Sequence, residues 1–408
     1  MAGLSRALIV ACVVLSQLLN AIAWAQEKPE PIKAVTFEPA IRADEMRPHI
    51  EFLAGPTMEG RASAAKKKAR DYVIERLKSA KLQPLFSESP DPSNDKPPTF
   101  LQAIPGAASE DGSTPILGNN IGAWLSGSDP KLADEFVIIS AHYDHLGVRD
   151  GQVFAGADDN ASGVAMMLEV ARQMATADIK PKRSIAFVAF DLEERLLWGS
   201  RWFAAHPPRP IERVKLFITA DMIGRSLGDL PLPTVFVLGS EHAAELKTAL
   251  DLVGTPPKLE VCRLGTDLIG TRSDYGPFRD REIPYLFFST GEHPDYHTPR
   301  DTPDKIDYEK AACIASLVLK LTRHVADAEQ TPVWTAAAQG DLDEPRALHR
   351  ITTLLLESEK QRPLTSTQRF MVTNVRNRTQ QILKADKMSS DDRTWLIRMS
   401  QLLLLSVF

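Results

Sequence analysis

Short runs of consecutive hydrophobic residues alternate with helical patterns in the middle of the chain. Almost entirely hydrophobic runs of five to seven residues predict strands buried on both faces. The runs are Phe136–Ala141, Ser184–Phe190, Leu216–Ala220, Thr234–Leu238 and Pro284–Ser289. Apolar residues recur at helical spacing in three further segments, Val164–Met174, His242–Val253 and Tyr308–Val325. This alternation predicts an α/β domain, residues 44–328, with a mainly parallel central sheet.

Helical patterns also flank this region. Before it they cover Ala43–Leu53 and Ala64–Lys81, and a polar, proline-rich segment from residue 87 to 98 predicts a loop. After about residue 330 the strand patterns stop, and the helical patterns that follow are Pro345–Glu359, Thr365–Ala385 and Ser390–Leu405. These predict a helical C-terminal extension, residues 329–408. Its simplest role is a structural cap on the α/β domain, and a partner-binding module is the alternative.

The first residues have the pattern of an export signal. Arg6 precedes an apolar stretch, residues 7–19, and the small residues Ala23 and Ala25 flank a cleavage position before Gln26. The apolar stretch is short for a transmembrane helix, although an uncleaved anchor is the alternative. We therefore expect a cleaved signal peptide, residues 1–25, a proline-rich linker, residues 26–43, and a periplasmic or extracellular protein without stable membrane insertion.

Composition narrows the possible partners. Of 408 residues, 43% are hydrophobic and 25% are charged, as in ordinary globular proteins. The net charge of -5 argues against a general affinity for nucleic acid. Beyond the signal, only Cys262 and Cys313 remain, too few for a disulfide scaffold or a cysteine metal site. They either pair in an oxidising compartment or, for Cys313, belong to a helix core.

Polar residues that bind metals follow the predicted strands. His142 comes directly after the first strand, and Asp144 lies two positions further along. Glu193 and Glu194 follow the second strand, and Asp221 ends the third. Histidines and paired glutamates are common in surface loops, but a carboxylate directly after a buried strand is costly unless it is paired or metal-bound. Because ligands bind beyond the carboxyl ends of parallel strands, these residues share the edge where a site forms.

Two more segments add to this set. Asp158 and Asp159 stand in a glycine-flanked segment that opens a helix, where they are either N-cap residues or metal ligands. His297 follows the last predicted strand. A mixed set of imidazole and carboxylate ligands suits Zn²⁺, with Mn²⁺ or Co²⁺ as alternatives. Five ligands exceed what a single catalytic zinc takes, and they are enough for two metals that share one carboxylate.

The order of these motifs resembles the zinc aminopeptidase family of clan MH. That family includes bacterial leucyl-type aminopeptidases, glutamate carboxypeptidases and glutaminyl cyclases. The resemblance covers roughly residues 44–325 and rests on His-x-Asp, Asp-Asp-Asn-Ala-Ser-Gly, Glu-Glu, Asp-Met and Tyr-His-Thr. It implies a three-layer α/β/α sandwich with a mixed sheet, and an exopeptidase that acts on peptides. Leu196 departs from the pattern, because members often have glycine there.

The resemblance also implies two zinc ions with defined ligands. Asp159 would bridge both ions, His142 and Asp221 would complete one, and Glu194 and His297 would complete the other.

Two further residues receive roles from the same resemblance. Glu193 would act as general base and then acid in the cleavage of an N-terminal residue, and Asp144 would hold His142 in place. Residues 273–275, Tyr296 and the loop 223–231 are candidates for the substrate pocket.

Three alternatives stay open. A glutaminyl cyclase would resemble this family but use one zinc. A carboxypeptidase for acidic C-termini would need cationic side chains near the site, for which Arg272 and Arg279 are the candidates. A non-catalytic binding protein on this scaffold would usually have lost a ligand or the base, whereas this chain keeps all of them.

Overall fold

A mixed sheet of nine strands organises the part of the chain that the structure describes. The structure is a computed structural model, and it describes residues 37–62, 64–87, 97–109, 112–336 and 341–407. The predicted signal peptide and residues 26–36 of the predicted linker lie outside these ranges. Residues 37–42 of that linker lie against the last helix of the α/β domain, where the backbone N–H of Ile41 donates to Ser316 Oγ.

The observed strands agree closely with the predicted strands at the centre of the sheet. The strands are β1 (Gln83–Pro84), β2 (Phe86–Ser87), β3 (Pro98–Thr99), β4 (Leu101–Pro105), β5 (Ile116–Leu125), β6 (Phe136–His142), β7 (Gly147–Arg149), β8 (Gln152–Phe154), β9 (Ser184–Phe190), β10 (Val214–Ala220), β11 (Thr234–Leu238), β12 (Glu260–Leu264) and β13 (Tyr285–Ser289). The main sheet has the order β1-β5-β9-β6-β10-β13-β11-β12, with β4 beside β5. Strands β9, β6, β10 and β13 are parallel, so their carboxyl ends meet at one edge.

Helices cover both faces of the sheet. They are α1 (Ala43–Leu53), α2 (Lys66–Ser79), α3 (Gly163–Thr176), α4 (Trp198–Ala205), α5 (Ala244–Val253), α6 (Gly276–Arg279), α7 (Tyr308–Asp327), α8 (Asp343–Glu357), α9 (Ser366–Ala385) and α10 (Ser390–Val407). Along β6, Val137 and Ile139 pack with α3 and α7, while Phe136 and Ile138 face the opposite side, as the two-residue period of a strand requires. The predicted α/β/α sandwich with a mixed sheet and C-terminal helices is confirmed.

The sequence pattern predicted only β6, β9, β10, β11 and β13, and two of the strands that it missed, β5 and β12, show the physical reason. In β12 only Cys262 is buried, so no hydrophobic run marks the strand. Strand β5 contains Gly118, Asn119 and Asn120, and the buried Asn120 amide donates to the backbone oxygen of Gly199. The predicted loop from residue 87 to 98 has its ends in the small sheet β2–β3, and residues 88–96 lie outside the described part.

The C-terminal helices pack on the sheet face opposite α3 and α7. Helix α8 lies against β12, α9 lies against α8, and α10 lies against α9. Arg350 on α8 donates two hydrogen bonds of 2.6 Å to the carboxylate of Glu260 on β12. The described residues from Phe37 onward form one compact unit, and the domain boundary expected near residue 328 stays a prediction.

The structure also bears on the two cysteines and on helices that could cross a membrane. Cys262 on β12 is buried, Cys313 on α7 is half-buried, and both are unpaired. No helix within the described ranges has the length and apolar character needed to cross a bilayer.

Candidate metal centre

The five predicted metal ligands meet at the carboxyl edge of the parallel strands. His142 is the last residue of β6, and Asp221 directly follows β10. Glu194 lies in the turn after β9, and Asp159 lies in the turn that precedes α3. His297 comes from the loop after β13. The parallel strand order brings these side chains together, although 155 positions separate the first from the last.

Asp159 lies between the two histidines. Its Oδ1 is 3.3 Å from His142 Nε2, and its Oδ2 is 3.1 Å from His297 Nε2. The Asp159 side chain is almost fully buried. Because each oxygen faces a different histidine, one carboxylate can contribute to two neighbouring cation sites.

The first group consists of His142, Asp221 and Glu193. Their ligand atoms lie within 4.8 Å of one another. His142 Nε2 is 3.5 Å from Asp221 Oδ1 and 4.0 Å from Glu193 Oε2, yet it has no hydrogen-bond partner although it is buried. A buried ring nitrogen without a partner is costly, and a cation among these carboxylates would satisfy it. The donor set therefore fits a zinc ion.

The second group contains Glu194, Asp159 and a residue that the sequence argument missed. Glu194 Oε2 is 3.3 Å from His297 Nε2, and Glu194 Oε1 is 2.7 Å from His145 Nδ1. The ligand atoms of His145, Asp159 and Glu194 also lie within 4.8 Å of one another. The signal in the sequence was the second histidine, three positions after His142.

We expect His145→Ala to weaken binding at the second group while the first group keeps its metal. The bond from His145 Nδ1 fixes the Glu194 carboxylate, and loss of such a supporting partner typically costs about 10–100-fold in metal affinity. Competition titration with a chelator would measure the two affinities separately. His206→Ala, which changes an exposed histidine on the same chain, is the matched control. Two unchanged affinities would contradict the assignment.

Asp144 touches both His142 and Glu193. Its Oδ1 accepts a 3.1 Å hydrogen bond from the Glu193 backbone N–H and lies 3.7 Å from His142 Nδ1. The shorter contact of His142 Nδ1, 3.2 Å, is with the backbone oxygen of Asp144. Asp144 therefore orients the imidazole chiefly through its carbonyl, and its carboxylate fixes the start of the Glu193–Glu194 segment.

The electrostatics of the site favour a bound cation. Burial raises the pKa of the Glu193 carboxyl well above its usual range; the Asp274, Asp221 and Asp159 carboxylates raise it further, whereas His142 opposes them. Burial likewise raises the pKa of Asp221. A cation placed among these carboxylates would compensate their repulsion and reverse this tendency.

The turn that carries Asp159 is held from two sides. The Asp301 carboxylate accepts hydrogen bonds of 3.0–3.1 Å from the backbone N–H groups of Asp158 and Asp159. The fully buried Arg61 donates to the backbone oxygens of Gly156 and Asp159 from the other side. Both residues bind the backbone of this turn, so both support the position of the Asp159 carboxylate.

The pocket candidates are also close to the centre. Ser273 Oγ donates a 2.9 Å hydrogen bond to Asp221 Oδ2, which leaves Asp221 Oδ1 facing His142. Tyr296 stacks on His297 with ring centroids 3.9 Å apart. Met222, together with Leu227 from the loop 223–231, lines the cavity beside the centre.

The backbone at Leu196 adopts a conformation that glycine takes at lower cost than leucine. Its φ is 61°, in the left-handed region that costs an ordinary residue about 1–2 kcal/mol. The side chain is 80% exposed, so it makes little packing in return. The turn still delivers Glu193 and Glu194 to the centre, and the departure from the family pattern therefore changes local strain without removing a ligand.

The fold and the two residue groups define the class: an α/β/α protein with candidate metal ligands at the carboxyl edge of its parallel strands. The model of Peptidase family M28 matches residues 120–322, a segment that contains both ligand groups. The chain belongs to this family of peptidases, which confirms the family that its motifs resemble.

Two of the similar proteins are an aminopeptidase and a glutaminyl-peptide cyclotransferase. Aminopeptidase YwaD of Bacillus subtilis is 27% identical over 208 residues, 48% of this chain and 43% of the relative. A glutaminyl-peptide cyclotransferase of Boiga irregularis is 29% identical over 213 residues, 43% of this chain and 58% of the relative. The chain thus spans about half the length of these curated relatives.

A solved structure shows the same fold. The crystal structure of BSAP, a zinc aminopeptidase from Bacillus subtilis, has a TM-score of 0.52 and 19% sequence identity. The similarity covers 74% of this chain and 100% of that chain. It supports the α/β/α architecture derived from the strand pattern.

Proposed function

We propose that the protein is an exported aminopeptidase that holds two zinc ions and removes the N-terminal residue of peptides. The observation that carries the proposal is the position of Asp159, whose two oxygens face His142 and His297 at 3.3 and 3.1 Å. Membership of a peptidase family and similarity to a named aminopeptidase support the reaction class.

We divide the ligands between the two ions as the family resemblance implies, with Asp159 shared by both. His142, Asp221 and Asp159 would hold one ion, and His297, Glu194 and Asp159 would hold the other. Zinc bound there would polarise the scissile carbonyl and supply a water with a pKa near 7. Asp144, Ser273 and His145 keep the ligand atoms directed at these positions through the contacts described above.

Glu193 is the residue we assign to proton transfer. Its carboxylate is mostly buried, lies 4.0 Å from His142 Nε2 and lines the cavity beside the centre. It would accept a proton from the attacking water and return it to the departing amine, a role worth about 10²–10⁴-fold in rate. The backbone bond to Asp144 fixes the start of its segment.

The contacts of the cationic candidates weigh against a carboxypeptidase. Arg272 Nη1 is 3.1 Å from Glu292 Oε1, and Arg279 Nη2 is 2.9 Å from Asp280 Oδ1. Both guanidinium groups are thus paired with carboxylates of the chain itself. Neither is poised to bind the acidic side chain of a substrate.

Metal analysis combined with a substrate panel tests the proposal. We expect about two zinc ions per chain, and hydrolysis of aminoacyl 4-nitroanilides that chelation abolishes and zinc restores. His142→Ala and His297→Ala should each lower the zinc content, whereas His206→Ala should not. One zinc per chain with cyclisation of an N-terminal glutamine would favour the cyclase. Absence of any hydrolysis by zinc-loaded protein would favour a binding protein.

Export is a separate part of the proposal and rests on the sequence of residues 1–25 alone. The charged start, the apolar stretch and the small residues before Gln26 support it. We expect the mature protein to be recovered outside the cytoplasm with Gln26 as its first residue, by N-terminal sequencing. An uncleaved chain in the membrane fraction would support the anchor instead.

A further inference from the structure

A cavity of about 190 Å³ extends from the candidate metal centre into the protein. Asp159, Glu193 and Asp221 line it at the metal end. The sheet supplies an apolar wall on one side, with Phe236 of β11 and Phe287 of β13 among its residues. Because the proposed base, Glu193, lines this cavity, a substrate side chain bound in it would lie next to the bond that is cleaved.

The C-terminal helices supply the other wall. The residues are Leu348, Ile351 and Leu355 of α8, Val375 of α9, and Leu403 and Leu404 of α10. All of them lie beyond residue 322, where the match to the family ends. The extension therefore does more than cover the sheet, because it forms part of the surface that a substrate would touch.

The charged residues that line the cavity favour an uncharged substrate side chain. Apart from the three carboxylates of the metal centre, the charged residues that line it are Arg272 and Glu292. These two are paired with each other at 3.1 Å. No unpaired charge remains among the described lining residues to bind a charged side chain, so an apolar group gains most from transfer into this space.

The size of the cavity points to a large apolar group. An engineered apolar cavity of about 150 Å³ accommodates benzene, so this somewhat larger cavity of about 190 Å³ accommodates one aromatic ring with a little space beyond it. The side chain of alanine would leave most of it empty. A phenylalanine or a straight aliphatic chain of several methylenes would fill it.

We propose that this cavity binds the side chain of the substrate's terminal residue, and that the C-terminal helices set a preference for large aromatic or long aliphatic side chains. The inference rests on the proposed aminopeptidase function and specifies its substrate class. Each methylene buried in such a cavity raises kcat/KM about fourfold, until the chain reaches the far wall.

The test compares aminoacyl 4-nitroanilides of rising side-chain length. The series is alanine, 2-aminopentanoic, 2-aminohexanoic and 2-aminooctanoic acid, with phenylalanine added. We expect kcat/KM for the 2-aminooctanoyl substrate to exceed that for the alanyl substrate at least 100-fold. Ratios between substrates within one protein are independent of the folded fraction, so a partly unfolded variant remains informative.

Variants of the extension separate specificity from structure. Leu404→Trp should lower the 2-aminooctanoyl to alanyl ratio at least tenfold, because the indole fills part of the cavity. The matched control is Leu402→Trp on the same helix, where the side chain is 51% exposed and does not line the cavity. Leu355→Ala should enlarge the cavity, so the highest kcat/KM should move to a substrate with a longer side chain. Damage to the fold would not produce such a shift.

Binding to the metal-free protein gives a second readout. Free 2-aminooctanoic acid should displace 8-anilinonaphthalene-1-sulfonate from the cavity more strongly than alanine does, and Leu404→Trp should reduce this difference. A flat substrate series, or equal ratios in Leu404→Trp and Leu402→Trp, would overturn the inference and leave the proposed function standing. Absence of hydrolysis for every substrate would refute the proposed function, and the inference with it.

Discussion

Glu193→Gln should retain two zinc ions and lose kcat by about 10²–10⁴-fold, the range for removal of a general base. Glutamine has nearly the shape of glutamate, so the turn after β9 should keep its conformation, including the backbone bond to Asp144. The amide cannot accept a proton at neutral pH, however, and the proposed transfer to the departing amine stops. Steady-state kinetics on a leucyl anilide and metal analysis of the same sample measure both quantities.

The metal content decides between two roles for Glu193. Its carboxylate groups with His142 and Asp221 within 4.8 Å, so a direct ligand is the competing assignment. If Glu193 is a direct metal ligand, Glu193→Gln should bind one zinc ion instead of two and should also lose activity. Glu212→Gln, at an exposed site outside the centre, is the control for the substitution itself. Near-normal turnover of Glu193→Gln would refute both assignments.

The central sheet could be predicted because its strands are buried on both faces. Predicted Ser184–Phe190 and Thr234–Leu238 agree with β9 and β11 to the residue, since continuous apolar runs leave little ambiguity about their ends. Strand β12 has one face near the surface and mixes Glu260 and Arg263 with Cys262, so its pattern resembles that of a loop. Hydrophobicity alone therefore finds the centre of such a sheet more readily than its edge.

The candidate site followed from the same strands, with one gap. His142 and Asp221 could be placed because each comes at the end of a predicted strand, and parallel strands share their carboxyl edge. His145 lies in an irregular segment between β6 and β7, where no periodicity indicates the direction of a side chain. Its contact with Glu194, which is 49 positions away, depends on the path of two loops.

The role of the C-terminal helices was the least accessible from sequence. Their patterns predicted helices correctly. The backbone N–H of Ser389 donates to Asp392 Oδ2 and that of Asp392 donates to Ser389 Oγ, the reciprocal bonds of a capping box. Amphipathic spacing identifies an apolar face but does not say what that face covers. The structure places part of it beside Asp221 and Glu193, and the structural cap therefore also becomes a wall of the cavity.

Arg61→Met should destabilise the protein by about 4 kcal/mol or more and also reduce its metal content. The Arg61 guanidinium is fully buried and donates one hydrogen bond from each of its N–H groups to backbone oxygens, of Leu53, Tyr143, Ala155, Gly156 and Asp159. Methionine would leave these five acceptors without a donor inside the protein, and the turn that carries the Asp159 carboxylate would lose its support.

Arg61→Lys should recover only part of this loss, because an ammonium group has three donors for five acceptors and lacks the planar fork. Urea denaturation of the metal-free proteins measures the free energy of unfolding, and metal analysis reports the position of Asp159. Arg213→Met, at an exposed arginine, should change the free energy of unfolding by about 0.5 kcal/mol or less. Equal urea midpoints for Arg61→Met and Arg213→Met would contradict this role. They would show that the hydrogen bonds of Arg61 to α1, to the residue after β6 and to the Asp159 turn do not stabilise the protein. Support of the Asp159 turn would then fall to Asp301, which accepts hydrogen bonds from the backbone N–H groups of Asp158 and Asp159.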